Sequence, residues 1–148
     1  MLKPYTIWFI AVALIGALSC TSQREKQPDT IRPNILILMS DNHSWNHLGC
    51  YGDPVLKTPV IDNLAREGIR FNNAYCSAPS CAPARAAMLT GQDFFRLEEA
   101  ANLWGSFSDK FKVYTDLLEE AGYLVGHEGK GWGPGDYESG GWSRNPAG

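Results

Sequence analysis

The sequence predicts an α/β fold with a mostly parallel central sheet. Two observations lead to this prediction: short apolar runs alternate with segments of helical periodicity, and polar loops follow the apolar runs. This order is typical of domains in which helices cover both faces of a parallel sheet. The chain has 148 residues, 44% hydrophobic and 20% charged, which is enough for a folded domain with its own core.

Three segments have the composition of strands. Residues 34–39 (NILILM) form an apolar run that is consistent with a fully buried parallel strand. Residues 69–75 (IRFNNAY) alternate weakly, and residues 123–126 (YLVG) form another short apolar run. Ligands of such folds bind at the carboxyl ends of the strands. The polar residues that follow predicted strands are therefore candidate site residues: Asp41, Asn42 and Lys130.

Three segments have helical patterns. The first opens at Thr58 and Pro59, which suit a cap and a first turn, and its apolar positions are Val60, Leu64 and Ile69. The others cover residues 85–90 and 113–121. Each predicted helix is followed by a glycine that ends it: Gly68, Gly91 and Gly122.

The first twenty residues are predicted to be an export signal. An apolar run over residues 7–18 follows Lys3 and is shorter than the roughly 20 residues of a membrane-spanning helix. The sequence ALSC, which ends at Cys20, resembles a bacterial lipoprotein cleavage site, where the cysteine would carry a lipid anchor. An ordinary secretory signal is the alternative. In both cases we expect an exported protein, in the periplasm or on the outer membrane of a bacterium, with a polar linker at residues 21–33.

Charge and cysteine content narrow the function further. The formal net charge is −3, and no basic patch indicates a nucleic-acid partner. Removal of the signal would leave Cys50, Cys76 and Cys81, an odd number for an exported chain. One interpretation is a disulfide between Cys76 and either of the others plus a buried free thiol. The other is a chemical role for Cys81 itself.

The segment CAPAR, residues 81–85, carries the strongest functional signal. It places Cys81 at the start of a helix and Arg85 one turn later. A helix N-terminus offers free N–H groups and positive dipole charge, and a guanidinium suits a tetrahedral oxyanion. From these residues alone, a nucleophile for anionic substrates and a proline-containing turn with a buried cysteine are equally compatible with the pattern.

The motif C-x-P-x-R, followed here by AAMLTG at residues 86–91, resembles the signature of the type I sulfatases. Other segments of this family resemblance occur in the expected order: residues 34–42 (NILILMSDN), 48–52 (LGCYG) and 71–75 (FNNAY), and the Gly-Lys pair at Lys130. The resemblance runs from about Arg32 to the end of the chain.

The resemblance implies an alkaline-phosphatase-like sandwich, of which residues 34–148 would be the truncated N-terminal portion. A maturation enzyme would oxidise Cys81 to formylglycine, whose hydrate attacks sulfur and later expels sulfate. Asp41, Asn42 and the group derived from Cys81 would ligate a divalent cation, calcium by the hardness of the ligands. Arg85 would hold the hydrated nucleophile, and Lys130 a sulfate oxygen.

Two positions depart from the family pattern. Asn42 stands where a second aspartate is usual, and Trp132 stands where a histidine commonly follows the lysine. Trp132 would then line a sugar subsite or pack in the core. Residues 96–105 and 129–135 resemble bacterial relatives of heparan N-sulfatase, which implies sulfated glucosamine as substrate. A 6-O-sulfatase or another carbohydrate sulfatase is the alternative.

Two other functions compete with this interpretation. Phosphatases and phosphodiesterases share the superfamily fold, but they usually use serine or threonine and two zinc ions, and Cys81 argues against them. The chain would otherwise be an inactive sulfatase fragment or a lipoprotein remnant that binds sulfated glycans, because the family's remaining metal ligands belong to a later segment.

Overall fold

The structure, a computed structural model, describes residues 32–148. The predicted signal with its lipid-anchor cysteine, and the linker up to residue 31, lie outside the described residues. Within residues 32–148 no helix is long and apolar enough to cross a membrane.

Three α-helices form, each where the sequence predicts one. They are α1 (Pro59–Glu67), α2 (Cys81–Thr90) and α3 (Tyr114–Glu120). Helix α2 begins four residues before the predicted range of 85–90, because proline at position 83 falls in the first turn, where its missing N–H breaks no helical hydrogen bond. Short 3₁₀ turns lie before α1 at Trp45–His47 and Gly49–Tyr51, and between α2 and α3 at Phe94–Arg96 and Glu98–Ala101.

The helix ends follow the predicted chemistry, with one difference. Gly91 has a left-handed backbone (φ 66°) and its N–H donates to the Ala87 carbonyl. Thr58 precedes α1 but its hydroxyl makes no capping bond to the helix backbone. That hydroxyl instead accepts the Gly49 N–H at 2.9 Å and donates to Asp62 at 2.9 Å. It therefore fastens the preceding turn to α1.

The predicted parallel sheet is absent from residues 32–148, and none of the three predicted strands forms there. Residues 32–148 contain no strand, only one parallel bridge between Ser106 and Asp136. A strand is stable only when a neighbour satisfies its backbone N–H and C=O groups. The segment 34–39 has no such neighbour among the described residues, and its apolar side chains stay exposed, Leu36 at 80% and Leu38 at 83%.

The core lies between α2 and the loops that follow it. Helix α2 buries Ala82, Ala86, Ala87 and Leu89 against the turns at Phe94–Arg96 and Glu98–Ala101. Phe107 is fully buried, with ring centroids 5.2 Å from Trp132 and 5.8 Å from Trp142. This aromatic cluster holds the loop after Gly129 against the helix that begins at Cys81.

The last residues of the chain are fastened to α3. The buried Thr115 hydroxyl donates to the Pro146 carbonyl at 2.7 Å. Arg144 forms ion pairs with Glu119 at 2.7 Å and Asp116 at 3.6 Å. The intervening Asn145 is thereby fixed in front of the loop that contains Trp132.

Candidate active site

Cys81 is the first residue of α2, and it is exposed. Ser80 before it is extended and contributes no side-chain cap to the N–H groups of Cys81 and Ala82, and Pro83 has no N–H. The helix has ten residues, and no acidic side chain lies in its first turn. The thiol therefore sits at a helix N-terminus whose dipole favours an anion.

Lys130 and Asp41 meet at this helix end, although they are 89 positions apart in the chain. The Lys130 ammonium lies 3.9 Å from the Cys81 sulfur and 3.3 Å from a carboxylate oxygen of Asp41. Both side chains are about half exposed, 46% for Lys130 and 64% for Asp41. The arrangement places one cation and one carboxylate within reach of a solvent-accessible sulfur.

Arg85 lies one turn after Cys81 and is half-buried. Its Nη1 atom donates to the carbonyl oxygens of Lys130 at 2.7 Å and Gly131 at 3.1 Å. A guanidinium has five N–H donors, so this contact leaves others for a ligand. The arginine that the motif assigns to the nucleophile thus also holds the backbone of the lysine loop.

A model of the sulfatase family matches residues 33–141, which include all of these side chains. The chain belongs to the sulfatase family. No solved structure matches it at a significant level.

Several curated sulfatases are similar over most of this chain. Arylsulfatase D of Homo sapiens is 36% identical over 131 residues, 82% of this chain and 22% of the relative. The N-acetylglucosamine-6-O-sulfatase of Bacteroides thetaiotaomicron is 33% identical over 128 residues, 86% of this chain and 22% of the relative. The N-acetylgalactosamine-6-sulfatase of Canis lupus familiaris is 38% identical over 110 residues, 66% of this chain and 21% of the relative. The chain spans about a fifth of the length of these relatives.

Family membership implies an α/β fold and raises the question of a metal site. Within the described part of the chain, no three His, Cys, Asp or Glu side chains converge as a ligand set. Asn42 follows Asp41 with a left-handed backbone (φ 50°). Calcium takes six to eight oxygens. Asp41 and Asn42 have suitable oxygen chemistry, but they fit only as part of a larger ligand set.

The three cysteines within residues 32–148 are free. Cys50 is half-buried, while Cys76 and Cys81 are exposed, and none of the three forms a disulfide. The disulfide interpretation of the odd cysteine number is therefore wrong for this structure. Cys81 remains available for the modification that the motif implies.

Trp132 packs in the core and lines no open subsite. It is 3% exposed, and its indole N–H donates to the Ala82 carbonyl, in the first turn of α2, at 2.9 Å. The packing alternative for this position is confirmed. The indole therefore connects the lysine loop directly to the helix that carries Cys81.

Asn145 is a site-supporting residue that the sequence did not reveal. Its side chain accepts the Trp132 N–H at 2.8 Å and donates to the Trp132 carbonyl at 2.9 Å. The Asn-Pro pair at residues 145–146 indicates a turn, but no local pattern indicates a partner thirteen positions earlier.

Proposed function

We propose that this sulfatase hydrolyses sulfate linkages of carbohydrates with a formylglycine made from Cys81. The observation that supports it most is the position of Cys81. It lies at the N-terminus of α2, within 3.9 Å of the Lys130 ammonium, inside a motif that the maturation enzyme would read. The fold proposed for the whole domain is the alkaline-phosphatase-like sandwich, with residues 34–148 as its N-terminal part.

The residues around Cys81 suit the stabilisation of a sulfuryl group. Formylglycine would supply a hydrated aldehyde hydroxyl as nucleophile and would be regenerated after sulfate leaves. The Cys81 N–H at the start of α2 and the Lys130 ammonium would bind the sulfate oxygens, where negative charge grows in the transition state. Arg85 would orient the nucleophile while it holds the lysine loop through backbone carbonyls.

We propose that Asp41 and Asn42 contribute oxygens to a site for one divalent cation, calcium. Asp41 faces Lys130 at 3.3 Å, so its carboxylate already lies at the edge of the proposed sulfate position. A bound cation would polarise a sulfate oxygen. Asn42 donates a neutral oxygen, which predicts weaker metal binding than two carboxylates would give.

The proposed substrate is a sulfated amino sugar. Two of the similar curated proteins are named for 6-sulfates of N-acetylated hexosamines. Residues 96–105 and 129–135 favour the N-sulfated glucosamine of heparan-type glycans within this class. Sulfate release from a panel of substrates decides whether the hydrolysed linkage is a sulfamate or a 6-O-ester.

We also propose that the protein is exported and carries a lipid at Cys20. This proposal rests on the signal-like residues 1–20, which lie outside the described residues. It brings a sulfatase to the side of the membrane where sulfated glycans are found.

The test combines peptide mass spectrometry with sulfate release. The protein is expressed from its intact gene with a formylglycine-generating enzyme, and the peptide containing residue 81 is weighed. We expect formylglycine at Cys81 and sulfate release from glucosamine N-sulfate, with no release by Cys81→Ala. Cys76→Ser, an exposed cysteine outside the site, is the matched control and keeps activity.

Other results would identify the alternatives. An unmodified, alkylatable Cys81 in active protein contradicts the proposed nucleophile. Release from N-acetylglucosamine 6-sulfate alone assigns an ester linkage. Turnover of 4-nitrophenyl phosphate in place of every sulfated substrate favours a phosphatase, and glycan binding without any turnover favours an inactive remnant.

A further inference from the structure

The loop that carries Lys130 is fixed through its backbone. Arg85 binds the carbonyls of Lys130 and Gly131, and Asn145 binds both the N–H and the carbonyl of Trp132. Four backbone groups of three consecutive residues are thus held by two side chains. The Lys130 side chain is about half exposed, so this backbone restraint and the Asp41 ion pair together keep its ammonium near the Cys81 sulfur.

Asn145 is itself well anchored. Its flanking residues are fastened to α3 by the buried Thr115 hydroxyl, which donates to Pro146, and by the Arg144 ion pair with Glu119. The Asn145 oxygen also accepts the Ala147 N–H at 3.1 Å, which closes a turn. The side chain therefore presents one acceptor and one donor in a fixed direction toward Trp132.

Asparagine is matched to this task. The pair of bonds needs an acceptor for the Trp132 N–H and a donor for the Trp132 carbonyl, and the amide side chain offers these on two separate atoms of one planar group. The contact is close, since a Cβ atom on Gly131 would lie 2.5 Å from the Asn145 oxygen. The loop can approach Asn145 only because position 131 has no side chain.

We infer that Asn145 is a positioning residue: by clamping the Trp132 backbone, it holds the Lys130 ammonium against residue 81 at the start of α2. The inference rests on the proposed function, because Asn145 contributes to catalysis only through the sulfate-binding role proposed for Lys130. Asn145 touches neither Cys81 nor Lys130 and acts through the loop. It also lies outside the span that the sulfatase family model matches, residues 33–141.

The test reads the position of the ammonium directly, on the unmodified thiol. Protein expressed without a maturation enzyme is alkylated with iodoacetate, an anion, and with iodoacetamide, its neutral analogue. Site-resolved mass spectrometry gives both rates at Cys81 and at the exposed Cys76. The thiolate fraction of Cys81 cancels in its iodoacetate-to-iodoacetamide ratio, and division by the Cys76 ratio removes the intrinsic difference between the reagents.

A cation about 4 Å from the sulfur should favour the anionic reagent about fivefold at low salt. Asn145→Ala should abolish this preference as completely as Lys130→Met, and the double variant should show no further loss. Asn145→Asp keeps the acceptor but loses the donor, so its preference should be intermediate. Asn102→Ala, an exposed asparagine whose side chain contacts only Glu99 in the described residues, should behave as the native protein.

Two results would overturn the inference. One is an Asn145→Ala variant whose Cys81 prefers iodoacetate as strongly as in the native protein. The other is a loss that comes with collapsed hydrogen-exchange protection across α2 in both Asn145 variants, because Asn145 would then act through overall stability. Neither result bears on sulfate hydrolysis, since the assay contains no formylglycine and no substrate. Failure of the sulfatase proposal is therefore seen separately, in the sulfate-release assay.

Discussion

Arg85 Nη1 lies 2.7 Å from the carbonyl oxygen of Lys130, 45 positions later in the chain. Residues four apart share one face of a helix, so Arg85 and Cys81 project from the same side of α2. The motif arginine therefore fixes the loop whose lysine reaches the motif cysteine. One face of a ten-residue helix organises both the proposed nucleophile and its proposed electrostatic partner.

Replacement of Arg85 should loosen this loop. Arg85→Met keeps much of the aliphatic stem but removes the donor to two carbonyls. We expect the free energy of unfolding to fall by about 1.5–3 kcal/mol, the usual range for a hydrogen bond from a charged donor. Urea unfolding followed by tryptophan fluorescence measures the change. Arg96→Met, at an exposed arginine, is the control, and equal midpoints for the two variants would show that the Arg85 contact contributes nothing to stability.

Lys130 should matter for sulfate chemistry and not for folding. Its ammonium is exposed and faces Cys81, so Lys130→Met should keep the unfolding midpoint while kcat/KM for the sulfated substrate falls. Loss of one preorganised charge donor costs about 100- to 1000-fold. Lys110→Met removes an exposed lysine that pairs with Glu98 and lies over the Phe111 ring, and should leave kcat/KM unchanged. Similar kinetics for the two lysine variants would remove Lys130 from the proposed site.

The helices were predictable because their signals are local. Pro59 at the start of α1 and the glycines after α2 and α3 are set by neighbouring residues, and each element ends within two residues of its predicted end. Strands depend on distant partners. The run at 34–39 has strand composition, yet no described segment pairs with it. Composition predicts a tendency, and pairing decides whether a strand forms.

The site was predictable only in part. The sequence indicated Asp41, Cys81, Arg85 and Lys130, and the structure brings these four together. The clamp by Asn145 depends on where the end of the chain meets the Trp132 loop. This tertiary contact leaves no repeat or characteristic spacing in the sequence, so it could not be predicted from the sequence.

Asp41 should be needed for metal binding if it belongs to a calcium site. Asp41→Asn keeps the shape of the side chain but removes its charge, so calcium affinity and calcium-dependent sulfate release should both fall. Calorimetric titration of calcium measures the first effect directly. Lys130→Met removes the Asp41 ion pair without removing a ligand, so its calcium affinity should not fall. Undiminished calcium affinity in Asp41→Asn would exclude Asp41 as a ligand.

The environment of Asp136 should make the stability of the fold depend slightly on pH in the acid range. Its pKa lies below the usual value of about 3.8, chiefly because its carboxylate accepts the Ser139 N–H and secondarily through the Ser139 hydroxyl. A lowered folded-state pKa stabilises the fold above pH 3.8, and this contribution is lost as the pH falls through the folded-state value. Carboxyl NMR titration should show the low pKa. Ser139→Ala keeps the N–H and should raise it only slightly, whereas an unshifted native pKa would contradict the geometry.

Gly131 offers the sharpest test of the packed loop. A Cβ atom at this position would lie 2.5 Å from the Asn145 side-chain oxygen, well inside contact distance. Either the loop or Asn145 must move, and the bonds to the Trp132 backbone would lengthen. Overpacking of this kind costs about 1–3 kcal/mol, so Gly131→Ala should unfold at a lower urea concentration than the native protein.

Gly126→Ala is the matched control for Gly131→Ala. A Cβ atom on Gly126 meets nothing within 4 Å, so the same glycine-to-alanine change occurs there without a clash. Both substitutions reduce the entropy of the unfolded chain equally, so the difference between them isolates the contact with Asn145. Asn145→Ala removes the oxygen with which the new Cβ atom would clash. In that background, Gly131→Ala should therefore lower the free energy of unfolding by less than it does in the native protein. Strict additivity of the two costs would show that the residues do not interact.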